Sequence, residues 1–195
     1  MKSEFIASMD LLQEEASRGD LSLRRIFTLL GEEGHAMLII FLSLPYIFPI
    51  PVPGLSTISG TLIVLVAFFL FLRRRPWLPK RYENVQISAA TIIKVSNGAE
   101  KAWGYVAKLV RQRWPFFHDY ALFRGLNFLV FAVNAVLLAL PLPIPFSNTV
   151  PAIAILLSAV GHMEKDGLFI LLSYLWCFVV SSFFMSLAMG AKHLF

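Results

Sequence analysis

The chain predicts an all-α integral membrane protein: two repeated proline-broken, re-entrant helical hairpins, one terminal spanning helix, and amphipathic surface helices. Two observations carry that class. The first is a proline cluster that occurs twice, Pro49-Ile50-Pro51-Val52-Pro53 and, 92 residues later, Pro141-Leu142-Pro143-Ile144-Pro145. Each cluster lies inside a 39-residue run without Asp, Glu, Lys or Arg, 34–72 and 125–163. Such runs are too long and apolar for a soluble core element, yet proline removes an amide donor and clashes with the preceding turn, so each reads as a membrane helix broken near its middle. The second observation is composition, with 57% hydrophobic residues, 15% charged residues and a mean hydropathy of +0.71. A soluble domain carries about 25% charged residues.

In chain order, 1–33 comes first. Phe5, Ile6, Met9, Leu12 and Ala16 recur on one helical face, Gly19-Asp20 interrupts that helix, and a second short helix is expected from its cap Ser22 through Leu30. Both are expected at the membrane surface. Met1–Arg18 is acidic and polar, so no cleavable signal peptide is expected. The first broken run leaves about 15 residues before its prolines and about 19 after them, at roughly 1.5 Å per residue. The second divides into Gly125–Leu140 and a shorter arm, Val150–Gly161, which reaches only part of the way across a hydrocarbon core of about 30 Å. A re-entrant hairpin is expected there. Gly167–Ala191 is uncharged and free of proline, so 167–191 reads as one ordinary span.

Between the broken runs, 73–124 holds 11 of the 17 basic residues against Glu83, Glu100 and Asp119, a net +8. The positive-inside bias makes this connector cytoplasmic, and Arg24 and Arg25 favour the same side for the N-terminal segment. Ile92, Val95, Ala99, Ala102, Val106 and Leu109 follow helical spacing, with Lys94, Lys101 and Lys108 recurring every seven residues beside them. This basic amphipathic helix is expected in the headgroup layer, with Trp103 and Tyr105 at the interface and the lysines drawing anionic lipid.

At the constant offset of 92, Ser56 faces Asn148, Thr57 faces Thr149 and Gly60 faces Ala152, an internal repeat. Ser56, Thr57, Ser147, Asn148 and Thr149 stand where new helices begin. They either cap freed amides or, with two helix N-termini aimed at one point, present donors to an anion such as phosphate. Arg73, Arg74, Arg75 and Arg124 either anchor helix ends or pair with phosphate headgroups. Arg111 and Arg113 carry the same two readings. Glu32, Glu33, Glu164 and Asp166 are expected to be solvated, or else to hold a coupled proton. The two hairpins are expected to run parallel, because 73–124 offers no convincing span between them.

Enzyme signatures are missing. His35, His118, His162 and His193 lack metal-ligand spacing, the single Cys177 reads as packing, and no P-loop, nucleophile elbow or dinucleotide fingerprint occurs. No catalytic residue, metal or cofactor is expected, and the basic residues concentrate beside membrane segments, which argues against nucleic acid.

Pro49–Ser59, Arg75-Pro76-Trp77-Leu78-Pro79 and, above all, Leu140 through Ala152 with Glu164-Lys165-Asp166-Gly167 resemble the ExoD family of bacterial exopolysaccharide-synthesis membrane proteins. The resemblance covers roughly 22–190. It implies a multi-pass inner-membrane protein linked to exopolysaccharide production, in a family without an established catalytic mechanism. One departure lies in the connector: relatives tend to carry a Glu followed by a Pro-Arg pair, whereas here Glu100 is followed only distantly by Arg113-Trp114-Pro115.

Three function classes follow. The first is a transporter or flippase-like handler of an anionic lipid-linked intermediate, such as a polyprenyl-phosphate carrier, with membrane lipid as a partner. The second is a small-ion or proton-coupled exchanger, which would need a buried carboxylate that neither broken run contains. The third is a non-transporting partner that organises a polysaccharide synthase. Substrate and oligomeric state stay open, a homo-oligomer included.

Overall fold

The computed structural model describes residues 4–31, 33–47, 54–72, 83–114, 117, 120–140, 144 and 146–192. Among them are eight α-helices, α1 (Glu4–Ala16), α2 (Leu23–Leu30), α3 (Glu33–Ser43), α4 (Leu55–Phe71), α5 (Ala89–Val106), α6 (Ala121–Ala139), α7 (Thr149–Met163) and α8 (Gly167–Lys192). A 3₁₀ turn (Leu44–Ile47) extends α3, and a two-residue strand pair joins β1 (Leu21–Ser22) to β2 (Gln86–Ile87). Helices α6 and α8 (over Gly167–Leu187) are long and apolar enough to cross a membrane, whereas α4 and α7 are shorter apolar helices. Pro49, Pro51, Pro53, Pro141, Pro143 and Pro145 fall outside the described residues, but helix stops before each cluster and restarts after it.

Helices α3, α4, α6, α7 and α8 form the apolar bundle. The α4/α6 seam is antiparallel: the Thr57 hydroxyl donates to the Ala139 carbonyl at 2.9 Å, while Phe68 and Phe71 at the other end of α4 meet Phe128. Tyr46 donates to Ser59 at 3.0 Å, which folds α3 back on α4. Phe131 meets His162, and Arg124 and Asn127 border one small cavity with His162, so the first half of α6 lies beside the end of α7. The arms therefore alternate in direction, and the residues flanking the two proline clusters lie at the same end of the bundle, called here the break end. The opposite, connector end gathers the starts of α3, α6 and α8 with the ends of α4 and α7.

Helix α7 is the centre of this arrangement. Ala152, Ala154, Ile155, Ser158 and Ala159 are buried along it, and it packs against α3, α6 and α8. At about 1.5 Å per residue its 15 residues span about 22 Å. Its shortness suits a helix enclosed by neighbours better than one exposed to lipid along its whole length.

The amphipathic helices pack differently from the sequence expectation. Phe5, Met9, Leu12 and Ala16 form the predicted face of α1, but that face is buried against α5 and α3 and does not lie open at a membrane surface. Trp103, expected at an interface, is 5% exposed and stacks on Phe5 with ring centroids 4.4 Å apart. Burying one large aromatic pair removes more apolar surface from water than leaving each ring in a headgroup layer. Lys94, Lys101 and Lys108 are exposed, as their spacing required. Ser22 caps α2 by accepting from the Arg25 amide at 3.3 Å, and Gly31, with φ of 56°, ends it as only glycine does easily.

Candidate functional site

At the break end, the first candidate side chains are mostly committed to the fold. Ser56 and Ser147 are buried. Thr57 uses its hydroxyl on Ala139, and its counterpart Thr149 is half-buried. Neither helix start carries a side-chain cap bond: Gly54 in the left-handed region precedes α4, and Asn148 precedes α7 with helical backbone angles. Ser56 and Thr57 both lie inside the first turn of α4, after the cap position. The Asn148 side-chain oxygen is buried and makes no hydrogen bond to the described residues. Arg73, Arg74 and Arg75 lie outside the described residues.

Arg124 is not part of that end. It sits in the first turn of α6, 15 residues from Ala139, or about 22 Å away along the helix. Ser56-Thr57 and Asn148-Thr149 therefore stand at one end of the bundle and Arg124 at the other. Near Arg124 lie Asn127, Phe128, Phe131 and His162 around a small, mostly apolar cavity of about 10 Å³. The Arg124 Nε is buried and meets no acceptor among the described residues.

A groove of 570 Å³ runs along the α4/α6 seam, lined by Gly60, Val64, Phe68, Phe128, Val136 and Leu140 among others. From Phe128 to Leu140, 12 positions on and just past the end of α6, it extends about 18 Å. Phe128 also lines the cavity beside Arg124, so the apolar groove and the arginine are neighbours. The seam is close because of small residues. A Cβ on Gly60 would come within 2.8 Å of the Ala139 Cβ and would press on the Ala135 carbonyl oxygen. A separate cavity of 220 Å³ lies among α1, α2, α3 and α5, walled by residues such as Leu12, Phe27, Met37 and Ile92.

The carboxylates of the turn between α7 and α8, expected in solvent, are buried. Glu164 is 4% exposed and Asp166 0%. Asp166 accepts from the amides of Arg111 at 2.8 Å and Leu168 at 3.0 Å, and stands 4.0 Å from the Arg113 guanidinium. Glu164 accepts from the Phe5 amide at 3.0 Å, so a residue 159 positions away caps α1. The turn thus clamps the connector and the N-terminal helix to the bundle. These hydrogen bonds recover the cost of desolvating two carboxylates.

Polar groups inside the bundle were not anticipated. Asn127 and Asn134 are buried on α6; Tyr174 donates to the Asn127 side-chain oxygen at 2.5 Å, and the Asn134 amide lies 3.2 Å from the Cys177 sulfur. The available signal was their seven-residue spacing, which puts both on one face of a helix otherwise apolar after Arg124. Among the described residues, no three or more His, Cys, Asp or Glu side chains group as a metal site would require.

Comparison with known proteins agrees with the proline motifs. The family model described as "Exopolysaccharide synthesis, ExoD" matches residues 7–186. Protein ExoD of Rhizobium meliloti (strain 1021) is 34% identical over 172 residues, 88% of this chain and 72% of its own. An uncharacterized protein of Synechocystis sp. is 29% identical over 149 residues, 76% of this chain and 69% of its own. No solved structure matches.

Proposed function

The chain belongs to the ExoD exopolysaccharide-synthesis family, and on that premise we propose that it is a transporter or flippase-like membrane protein that handles an anionic lipid-linked intermediate. The observation that carries this reading is the α4/α6 groove. It is almost wholly apolar, open along the bundle wall, and about 18 Å long, which suits a hydrocarbon chain lying against the two helices. The small residues Gly60, Ala135 and Ala139 keep the helices close at its floor, as small residues do at helix interfaces within lipid. Exchange of a small ion or proton is less well supported. Asp166 and Glu164, the buried carboxylates on hand, are already engaged in holding the connector and α1.

The test is lipid binding by the full chain in detergent or nanodiscs. A photoreactive polyprenyl lipid should label peptides containing Val64, Phe68 or Val136, and V136W, which fills the groove, should reduce labelling at least fivefold. Labelling confined to the outer face of α8, unaffected by V136W, would remove the groove as the seat and leave the synthase-partner reading.

A further inference from the structure

We propose that Arg124 recognises the phosphate of a lipid whose hydrocarbon chain lies in the α4/α6 groove, which assigns the headgroup to the connector end of the bundle and not to the helix starts beside the prolines. This inference rests on the lipid-handling reading above.

Arg124 stands in the first turn of α6 inside an otherwise uncharged stretch of helix. It makes no ion pair or hydrogen bond to the described residues through its side chain, and its Nε is buried. Guanidinium is always ionised, and a partly buried cation with no counter-charge among the described residues is costly, so its retention among Phe71, Phe128 and Asn127 calls for an anion. The planar fork of donors fits a phosphate better than a point charge would. Helix geometry adds to this. Tyr120 opens α6 with no side-chain cap bond, so the positive end of a 19-residue helix lies beside the same guanidinium.

Size decides where the anion sits. The 10 Å³ enclosed behind Arg124 is about what one water needs, far less than a phosphate. The headgroup must therefore dock on the outer side of the arginine, where Phe128 joins the cavity to the 570 Å³ groove. Phe68 and Phe71 flank Phe128 there, with centroids 5.9 and 5.5 Å from it, an aromatic stop between chain and headgroup. By contrast, the break end offers Thr57, whose hydroxyl is occupied, buried Ser56 and Ser147, and the Asn148 side-chain oxygen, unpaired among the described residues, an acceptor that would repel a phosphate.

The experiment compares a polyprenyl phosphate, the matching polyprenol and inorganic phosphate as probes of the full chain in nanodiscs. Wild type should bind polyprenyl phosphate at least tenfold more tightly than the polyprenol. R124Q should abolish that preference while leaving polyprenol affinity unchanged, and R124K should keep part of it. A phosphate preference that survives R124Q overturns the headgroup assignment while the groove reading stands. Failure of wild type to bind either lipid sinks both. Arg124-dependent binding of inorganic phosphate as tight as that of the phospholipid overturns the lipid and leaves a free-anion site. A wild-type measurement covers poor folding of the variant: a photoreactive group next to the lipid phosphate should label peptides carrying Phe71 or Phe128, and labelling of 54–60 instead overturns the proposal.

Discussion

Replacing Gly60 with alanine tests the close α4/α6 seam on which the groove depends. The added Cβ would stand 2.8 Å from the Ala139 Cβ and 3.0 Å from the Ala139 nitrogen, where ordinary contact begins at 3.4 Å. Helix α4 must therefore retreat by about 0.6 Å or more against backbone, which cannot turn aside as a flexible side chain can. Overpacking of this kind costs about 1–3 kcal/mol, partly offset by the better helix propensity of alanine, up to about 1 kcal/mol. A net loss of about 1–2 kcal/mol is expected. The control is Gly98 in α5, where an added Cβ meets nothing within 4 Å; there the same substitution should stabilise by about 0.5–1 kcal/mol. Thermal unfolding of both variants in detergent, followed by circular dichroism, compares the two. If G60A melts at or above G98A, the seam is not tight and the reasoning from its small residues is wrong.

E164A removes the acceptor of the Phe5 amide, so the first turn of α1 should fray with a loss of about 0.5–2 kcal/mol, seen as faster amide exchange over the start of α1 and not over α8. D166A strips the acceptor from the Arg111 and Leu168 amides; a cost of about 1–3 kcal/mol is expected, and proteolytic cutting near 107–114 should rise, whereas an unchanged digestion pattern would contradict the clamp. The hydrogen bond from Arg25 to Glu15, aided by the charges of Arg25 and Arg18, holds the Glu15 carboxyl below its ordinary 4.5. A lowered folded pKa stabilises above the unfolded value and loses that contribution as pH falls through the folded one. The stability of E15Q should therefore depend less on pH below 4.5 than that of wild type; parallel curves would show that the pair contributes nothing.

Much of the architecture was written locally. Proline in a helix interior removes an amide donor and clashes with the preceding turn, so the stop of helix before each proline cluster and its restart afterwards were legible. So were Ser22 as a cap, the apolar face of α1 and the unbroken α8, because caps, periodicity and span length act through near neighbours in sequence. Partners were a different matter. That the face of α1 meets Trp103 instead of lipid, that Glu164 caps a helix 159 residues earlier, and that Asp166 is buried under the connector all depend on which surfaces the fold brings together. The same holds for the candidate site. Sequence marked Thr57 and Asn148 by their place after the repeated prolines and Arg124 by its charge at the edge of an apolar run, and antiparallel packing of α4 on α6 then engaged Thr57 and carried Arg124 about 22 Å from the break end along α6. Helix breaks arise within the chain, whereas a groove and its charged end exist only between helices; the first could be read from residues in order, and the second only from their packing.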